Sequence, residues 1–157
     1  MNGYMPGLFD RLLGDRGHGN RLSLEHLKDA VARDLEDLLN TRMALPEELL
    51  EGWPECAASV VTYGLIDIAG MCLSSTDDRA RICDGLRTTI ERHEPRLRSV
   101  VARVERQAGT VNRINFVITG VLHAPGVTEP INFDAVLQPS TLHYSIRRNA
   151  RGSALTT

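Results

Sequence analysis

The sequence predicts a single α+β domain, with helices first and an antiparallel β-meander of about four strands afterwards. Apolar residues recur at helical spacing as far as residue 94 and alternate with polar residues beyond Pro95. The chain has 157 residues, of which 42% are hydrophobic, and this is enough to bury one ordinary core. Helices followed by consecutive strands favour a layer of helices on one face of the sheet.

We divide the chain into three parts. Residues 1–22 are an N-terminal arm and linker, residues 23–148 form the α+β domain, and residues 149–157 are a polar tail. The stretch "PGLFDRLL" in the arm forms a short helix with one apolar side, made of Leu8, Phe9, Leu12 and Leu13. So short a helix is marginal in water, so this side must pack either on the domain or on another protein.

The helical part of the domain contains two long helices. The first has Ser23 as its N-cap and an inner stripe of apolar residues, namely Leu24, Leu27, Val31, Leu35, Leu38 and Leu39. The second has Ser75 or Thr76 as its N-cap and ends at Pro95. Its predicted inner stripe is Ala80, Cys83, Leu86 and Ile90.

Shorter elements connect the two long helices. Pro46 opens a short helix that Trp53 and Pro54 close, and another short helix is expected from Glu55 to Thr62. The stretch "YGLIDIAGMCLSST" carries glycines around apolar residues, which suggests an ordered loop crossing the core.

Four strands are predicted after the proline, within "RSVVARVERQ", "RINFVITGVLHA", "INFDAVLQ" and "LHYSIRR". In the last three strands one face is apolar, with Ile114, Phe116, Ile118, Leu122, Ile131, Phe133, Ala135, Leu137, Leu142, Tyr144 and Ile146. In the first strand Val100, Ala102 and Val104 occupy that face.

Charge and composition narrow the function classes. A formal net charge of −2 argues against a nucleic-acid binder, which would carry a basic excess. Residues 25–55 hold nine acids and three bases, whereas residues 79–106 hold eight arginines and four acids. The basic half either attracts an acidic partner or is a solvated helix face.

We expect a cytoplasmic protein with no direct membrane insertion. No apolar run approaches the roughly 20 residues that span a bilayer, and the first residues do not resemble a secretory signal. Three cysteines without a CxxC pair do not predict a disulfide framework, which suggests a reducing compartment.

The sequence carries no recognisable catalytic or metal-binding motif. Its five histidines are scattered, and no pair has the spacing of a metal site, so we expect neither metal nor cofactor. Signatures of a nucleophile elbow, a phosphate loop or a dinucleotide site are absent, which weakens the hypothesis of an enzyme, and the family resemblance described below leads us to expect no enzyme activity. The alternative is a lysozyme-like peptidoglycan hydrolase that would use a carboxylate pair such as Glu91 and Glu94.

We call Glu94, Pro95 and Arg96 the hook. Proline disfavours helical angles at Glu94, so this carboxylate lies at the helix C-terminus, facing the negative end of the helix dipole. Arg96 can reach Glu94, the last helical carbonyls or another chain. Two interpretations stay open: a helix stop with incidental charges, or a site that a partner desolvates while the stability of the free chain changes little when Arg96 is truncated.

The sequence resembles a known family, that of the type VI secretion baseplate subunit TssE and the small lysozyme-like wedge proteins of contractile phage baseplates. The matching stretches run in order along nearly the whole chain: "LFDRLL", "LNTR", "SVVTYGLIDIAG", "IERHEPRL" and "NFVITGVLHAPGVTEPINFDAVL". The Glu-Pro-Arg element is the most specific of them. The chain departs from the family at Thr62 and Ile66, where asparagine and proline are common, and in "QPSTLHY", which lacks the usual glycine.

The resemblance implies a structural adaptor in a cytoplasmic baseplate docked at the inner membrane. Its implied partners are the wedge subunits TssF and TssG, the subunit TssK, and the sheath proteins TssB and TssC. Glu94, Pro95 and Arg96 are expected to contact the helical core bundle of TssF and TssG, and a sheet edge to pair with sheath strands. Leu8, Phe9 and Leu12 of the arm are further candidates for partner contact. A stand-alone cytoplasmic binding module is the other alternative.

Overall fold

The computed structural model describes residues 3–13, 22–105 and 113–149, and it confirms the α+β fold class. The α-helices are α1 (Leu8–Leu13), α2 (Leu24–Asn40), α3 (Pro54–Ala57) and α4 (Thr76–His93), with 3-10 turns at Glu47–Leu50 and Val60–Thr62. The strands are β1 (Leu97–Glu105), β2 (Ile114–Ala124), β3 (Val127–Gln138) and β4 (His143–Arg148). They form an antiparallel meander in the order β1-β2-β3-β4. The glycine-rich linker and the tail from residue 150 lie outside the described residues, and the three-part division of the chain stays a prediction.

Helix α2 begins as predicted, because the Ser23 hydroxyl accepts a hydrogen bond from the His26 N–H at 3.3 Å. The predicted stripe is buried from Leu27 to Leu39, whereas Leu24 is only half-buried and packs at the margin of the core. Ala30 joins the buried stripe.

The prediction of one helix from Glu55 to Thr62 is wrong. Helix α3 ends at Ala57, and a separate 3-10 turn starts at Val60. The chain is extended at Ser59, whose side chain caps the new turn by accepting from the Val61 N–H at 3.2 Å. A serine between two short apolar pieces therefore acts as an N-cap that divides them.

The predicted inner stripe of α4 is partly wrong. Ala80 is exposed and Cys83 half-buried, while the buried positions are Ile82, Leu86 and Ile90. These three residues follow one another at four-residue spacing, so the larger Ile82 faces the sheet and Ala80 turns away.

The strand predictions are confirmed for the core face of the sheet. Buried residues alternate along β2, β3 and β4, and the most enclosed are Phe116, Leu122, Phe133, Ala135, Leu137 and Tyr144. Leu142 falls just outside β4, half-buried and with φ of 52°. In β1 a bulge lies between Arg98 and Val101, and Ser99 within it has φ of 53°.

The outer edge of β4 is capped by side chains of α2. Asn40 accepts from the Tyr144 N–H at 2.8 Å and donates to the Tyr144 carbonyl at 2.9 Å. One turn earlier, Glu36 accepts from the Ile146 N–H at 2.7 Å. Helix α2 thus packs on the sheet and also occupies backbone groups that an added strand would need.

Candidate functional site

The hook forms the whole connection between α4 and the sheet. Glu94 is the C-cap of α4, and its N–H donates to the Ile90 carbonyl at 2.8 Å. The Glu94 carbonyl in turn accepts from the Leu97 N–H at 3.0 Å, where β1 begins. Pro95 is exposed at the tip of this tight turn. The hook is therefore a tight turn that connects α4 directly to β1.

Glu94 and Arg96 pair with each other inside the chain. Glu94 is only 4% exposed, and its Oε1 accepts from Arg96 Nε at 2.7 Å and from the Arg96 N–H at 3.2 Å. Arg96 Nη2 donates to the other Glu94 oxygen and also to Asp34 Oδ2 of α2. Burial acts to lower the pKa of Arg96, but the bonds and charges of Glu94 and Asp34 outweigh it and raise that pKa.

This geometry corrects the expectation that truncating Arg96 would change the stability of the free chain little. The Glu94 carboxylate is already desolvated by the chain itself, before any partner binds. Arg96 is its partner in a two-pronged ion pair, so removing Arg96 leaves a buried charge unanswered. The charges of the hook are therefore not incidental to the helix stop.

A cleft of about 250 Å³ lies beside the hook, and residues of the arm also line this cleft. Backbone hydrogen bonds between Tyr4 and Leu22, at 2.7 and 2.8 Å, tie the start of the arm to the residue just before the Ser23 cap of α2. The cleft is lined by Gly7, Leu8, Asp34, Asp37, Leu38, Tyr63, His93 and the three hook residues. Leu8 and Leu12 are 65% and 69% exposed, while the side chain of Phe9 lies outside what the structure describes.

Among the cleft residues that sequence reasoning missed are Asp34, Tyr63 and His93. The His93 ring nitrogen Nε2 lies 2.9 Å from the Thr62 carbonyl, and its ring meets that of Tyr63 edge-on at 5.4 Å between centroids. Burial lowers the pKa of His93, and burial together with Asp37 and Asp34 raises the pKa of Tyr63. Only the position of His93 next to the hook could have indicated it. The other two are separated from the hook by about 30 or 60 residues of chain.

Of the two carboxylates considered for hydrolysis, only Glu94 lines the cleft beside the hook. Glu94 lines the cleft and is engaged by Arg96, whereas Glu91 is exposed and bonds to Arg87 at 3.3 Å and to the Val100 N–H at 3.2 Å. Within the described ranges, no cluster of three histidine, cysteine, aspartate or glutamate residues could hold a metal ion. The same ranges contain no helix long and apolar enough to cross a membrane.

Two long helices packed on an antiparallel meander, with an ion pair at the junction of α4 and β1, define a small α+β protein. The chain belongs to the baseplate wedge protein gp25 family, whose family profile matches residues 25–126. This match runs from α2 to the turn after β2 and includes the hook, and it confirms the resemblance. No curated protein matches the chain. Membership of this family supports a structural role in a baseplate, together with other baseplate subunits.

Proposed function

We propose that this protein is the TssE-type adaptor of a type VI secretion baseplate. In this role it joins the TssF and TssG wedge to the TssB and TssC sheath, close to TssK, and helps to start sheath assembly without catalysing a reaction. The baseplate would lie in the cytoplasm, docked at the inner membrane. The family match supports the baseplate role, and the order of the matching stretches along the chain supports the type VI assignment.

The observation that carries this proposal is the meeting of the hook and the arm at one cleft. Pro95 and Leu8 are exposed there, and the Arg96 side chain keeps 26% of its surface accessible. Because Glu94 and Asp34 fix the guanidinium, Arg96 loses little conformational freedom when a partner docks on it. Leu8 and Leu12 add apolar area that helices of TssF and TssG would cover, and Phe9 extends that area in the sequence.

The sheath would add strands to the β1 edge of the sheet. At the β4 edge, the outward N–H groups of Tyr144 and Ile146 already donate to α2. At the β1 edge, Glu91 covers the Val100 N–H, and the backbone of Val104 meets the Cys83 thiol, a weak acceptor. The stretch from 101 to 105 is therefore the less protected edge, and strand addition needs such an edge.

The arm half of the site is tested by co-purification of TssF and TssG with the double variant Leu8→Ser, Leu12→Ser. Both side chains are mostly exposed, so we expect normal folding and a loss of wedge recovery of at least about tenfold. Met5→Ser is the matched control, since Met5 is 71% exposed on the same arm but does not line the cleft. Full recovery by the double variant would overturn the arm's part in the site.

The hook is tested by Arg96→Lys, which keeps the positive charge beside Glu94 but removes the two-pronged geometry. We expect this variant to fold and to recover less TssF and TssG than the wild-type protein. The assay therefore separates the positioning of the guanidinium from the presence of charge. Unchanged recovery would show that the hook serves only the fold.

The sheath edge is tested with a photo-crosslinking amino acid placed at Arg103 of β1 or at Arg147 of β4. Arg103 pairs with Val117, Val117 with Asp134, and Asp134 with Arg147 across the sheet. The two exposed arginines therefore lie at the same position along the strands, one on each edge of the sheet. We expect capture of TssB or TssC from Arg103 and not from Arg147. The reverse pattern would place the sheath at β4.

A further inference from the structure

A second surface on this chain exposes apolar side chains among acids. Five of the ten large apolar side chains that are exposed in the described residues lie in one stretch of 17 residues, from Leu45 to Val61. Trp53 is 67% exposed, Leu49 64% and Val60 80%. We call the acidic–apolar patch the set Leu49, Trp53, Val60 and Val61 together with Glu47, Glu48, Glu51 and Glu55. Apolar side chains exposed together on a protein surface mark interaction sites.

The exposure does not come from a frayed segment. Leu50 and Thr62 of the same stretch are buried, and the Thr62 hydroxyl donates to the Ala57 carbonyl at 3.0 Å. The Trp53 N–H donates to the Leu50 carbonyl at 2.9 Å, and the Trp53 carbonyl accepts from Ala57 at 3.0 Å. The backbone is therefore held by successive turns, with the apolar side chains directed outward.

The segment that carries the patch has charged side chains of one sign. Residues 43–78 contain seven acids and no lysine or arginine. The only base that an ion pair brings to the patch among the described residues is Arg92 of α4, which lies 3.2 Å from Glu47. Anionic lipid surfaces and nucleic acids would be repelled by such a field. A protein segment that carries lysine or arginine beside its own apolar stripe would be attracted.

We propose that the acidic–apolar patch is a second docking surface, separate from the hook, for a basic amphipathic helix of a partner protein. Leu49, Trp53 and Val60 take the apolar stripe of that helix, and the carboxylates of Glu48, Glu51 and Glu55 face its lysines or arginines. Tryptophan is the side chain most often found at the energetic centre of an interface, which suits Trp53 for this role. The inference uses neither the hook nor the type VI assignment, so it holds or fails independently of the proposed function.

Trp53 is the only tryptophan of the chain, so its fluorescence reports on the patch directly. The probe is a synthetic helical peptide with leucine at i, i+3, i+4 and i+7 and with lysine on the flanking positions. We expect a saturable blue shift of the Trp53 emission in the full-length protein, weakened by added salt. The matched peptide with glutamate in place of every lysine is expected to give no shift.

Variants locate the binding by anisotropy of the labelled lysine peptide. Leu49→Ser with Val60→Ser, and separately Glu48→Gln with Glu51→Gln, are each expected to weaken binding about tenfold or more. The controls change similar groups elsewhere: Val101→Ser for an exposed apolar residue, and Asp84→Asn with Glu105→Gln for two exposed acids. These controls are expected to bind as the wild-type protein does.

Four outcomes would overturn the proposal. Equal binding of the glutamate peptide would show that charge plays no role. Binding unaffected by the patch variants would show that the peptide binds elsewhere. A Trp53 blue shift with vesicles of anionic lipid but not with the lysine peptide would assign the surface to a membrane. Self-association that Trp53→Ser abolishes, without peptide binding, would assign it to a second copy of this chain.

Discussion

The hook and the acidic–apolar patch reverse the usual rule of burial in opposite ways. Glu94, a charged residue, is 4% exposed, whereas Trp53, a large apolar one, is 67% exposed. In the hook, Arg96 pairs with the desolvated Glu94 carboxylate within the chain, and Asp34 holds the same guanidinium from α2. In the patch, the described residues leave most of the Trp53 and Leu49 side chains in contact with water.

The difference separates what each region contributes. When a desolvated group is paired within the chain, mutating its partner first lowers the free energy of unfolding of the isolated protein. When an apolar side chain stays exposed in the free protein, mutating it mainly changes the affinity for a partner, because only a partner removes it from water. The hydrogen bond between Thr62, which follows the patch, and His93, which precedes the hook, joins the two regions.

The largest effect is expected from Arg96→Ala. The variant leaves the buried Glu94 carboxylate without its cation, which typically costs about 3–5 kcal/mol in the free energy of unfolding. Denaturant unfolding of the isolated protein measures this loss. A change below about 1 kcal/mol would show that water reaches Glu94 and that the hook behaves as a surface ion pair.

A double-mutant cycle controls this prediction. Glu94→Gln with Arg96→Ala removes both charges, so the double variant is expected to be more stable than Arg96→Ala alone. Additive losses in the cycle would mean that the two side chains do not interact.

Gly64→Ala is expected to destabilise the protein by about 1–3 kcal/mol, because the added Cβ strains the backbone just after the acidic–apolar patch. Gly64 has φ of 116°, and a Cβ there would lie 2.6 Å from the Thr41 carbonyl oxygen of the α2 C-cap. Gly52→Ala is the matched control within the same segment, since a Cβ there meets nothing within 4 Å. Thermal unfolding of the two variants gives the comparison, and equal midpoints would show that the segment is not anchored at Gly64.

A smaller, pH-dependent effect is expected from His93, which links the hook to Thr62. Burial first, and then the charge of Arg92, lowers the pKa of His93 in the folded protein, although the Thr62 carbonyl opposes this. The unfolded chain then takes up the proton first, at about pH 6.5, so stability is complete above that pH and is lost as the pH falls through the folded pKa. His93→Gln is expected to remove this part of the pH dependence. Identical slopes for variant and wild type between pH 7 and 5 would contradict it.

The smallest effect on folding is expected from Trp53→Ser. Since Trp53 is largely exposed, the free energy of unfolding should change by no more than about 0.5 kcal/mol. Binding of the labelled lysine peptide should nevertheless be lost in the same variant. A large loss of stability would mean that Trp53 belongs to the core, and the contrast with Arg96→Ala would disappear.

The fold was largely predictable from local patterns. The two-residue period after Pro95 identified the four strands, and Ser23 and Ser75 identified the starts of both long helices. The errors arose where pattern and packing differ. Ser59 divides a segment that reads as one helix, and in α4 the larger Ile82 takes the inward position that the spacing had given to Ala80.

The candidate site was predictable only in part. Glu94, Pro95 and Arg96 stand out because a proline places opposite charges at a helix end, and the sequence allowed Arg96 to reach Glu94. That Glu94 is buried, and that Asp34 also binds Arg96 across 62 residues of chain, depends on how α2 packs against the hook. Neither fact has a local signal in the sequence.

The caps that α2 places on β4 have a consequence for the order of folding. Asn40 and Tyr144 are 104 residues apart in the chain, and Glu36 and Ile146 are 110 apart. During synthesis α2 leaves the ribosome long before β4. Until β4 is made, the side chains of α2 that cap it lack their partners, and the outer edge of β3 is unpaired. Contacts of such high sequence separation slow folding, because the loop must close before they form. We therefore expect nascent chains that stop before residue 142 to be captured by chaperones, and completion of β4 to release them.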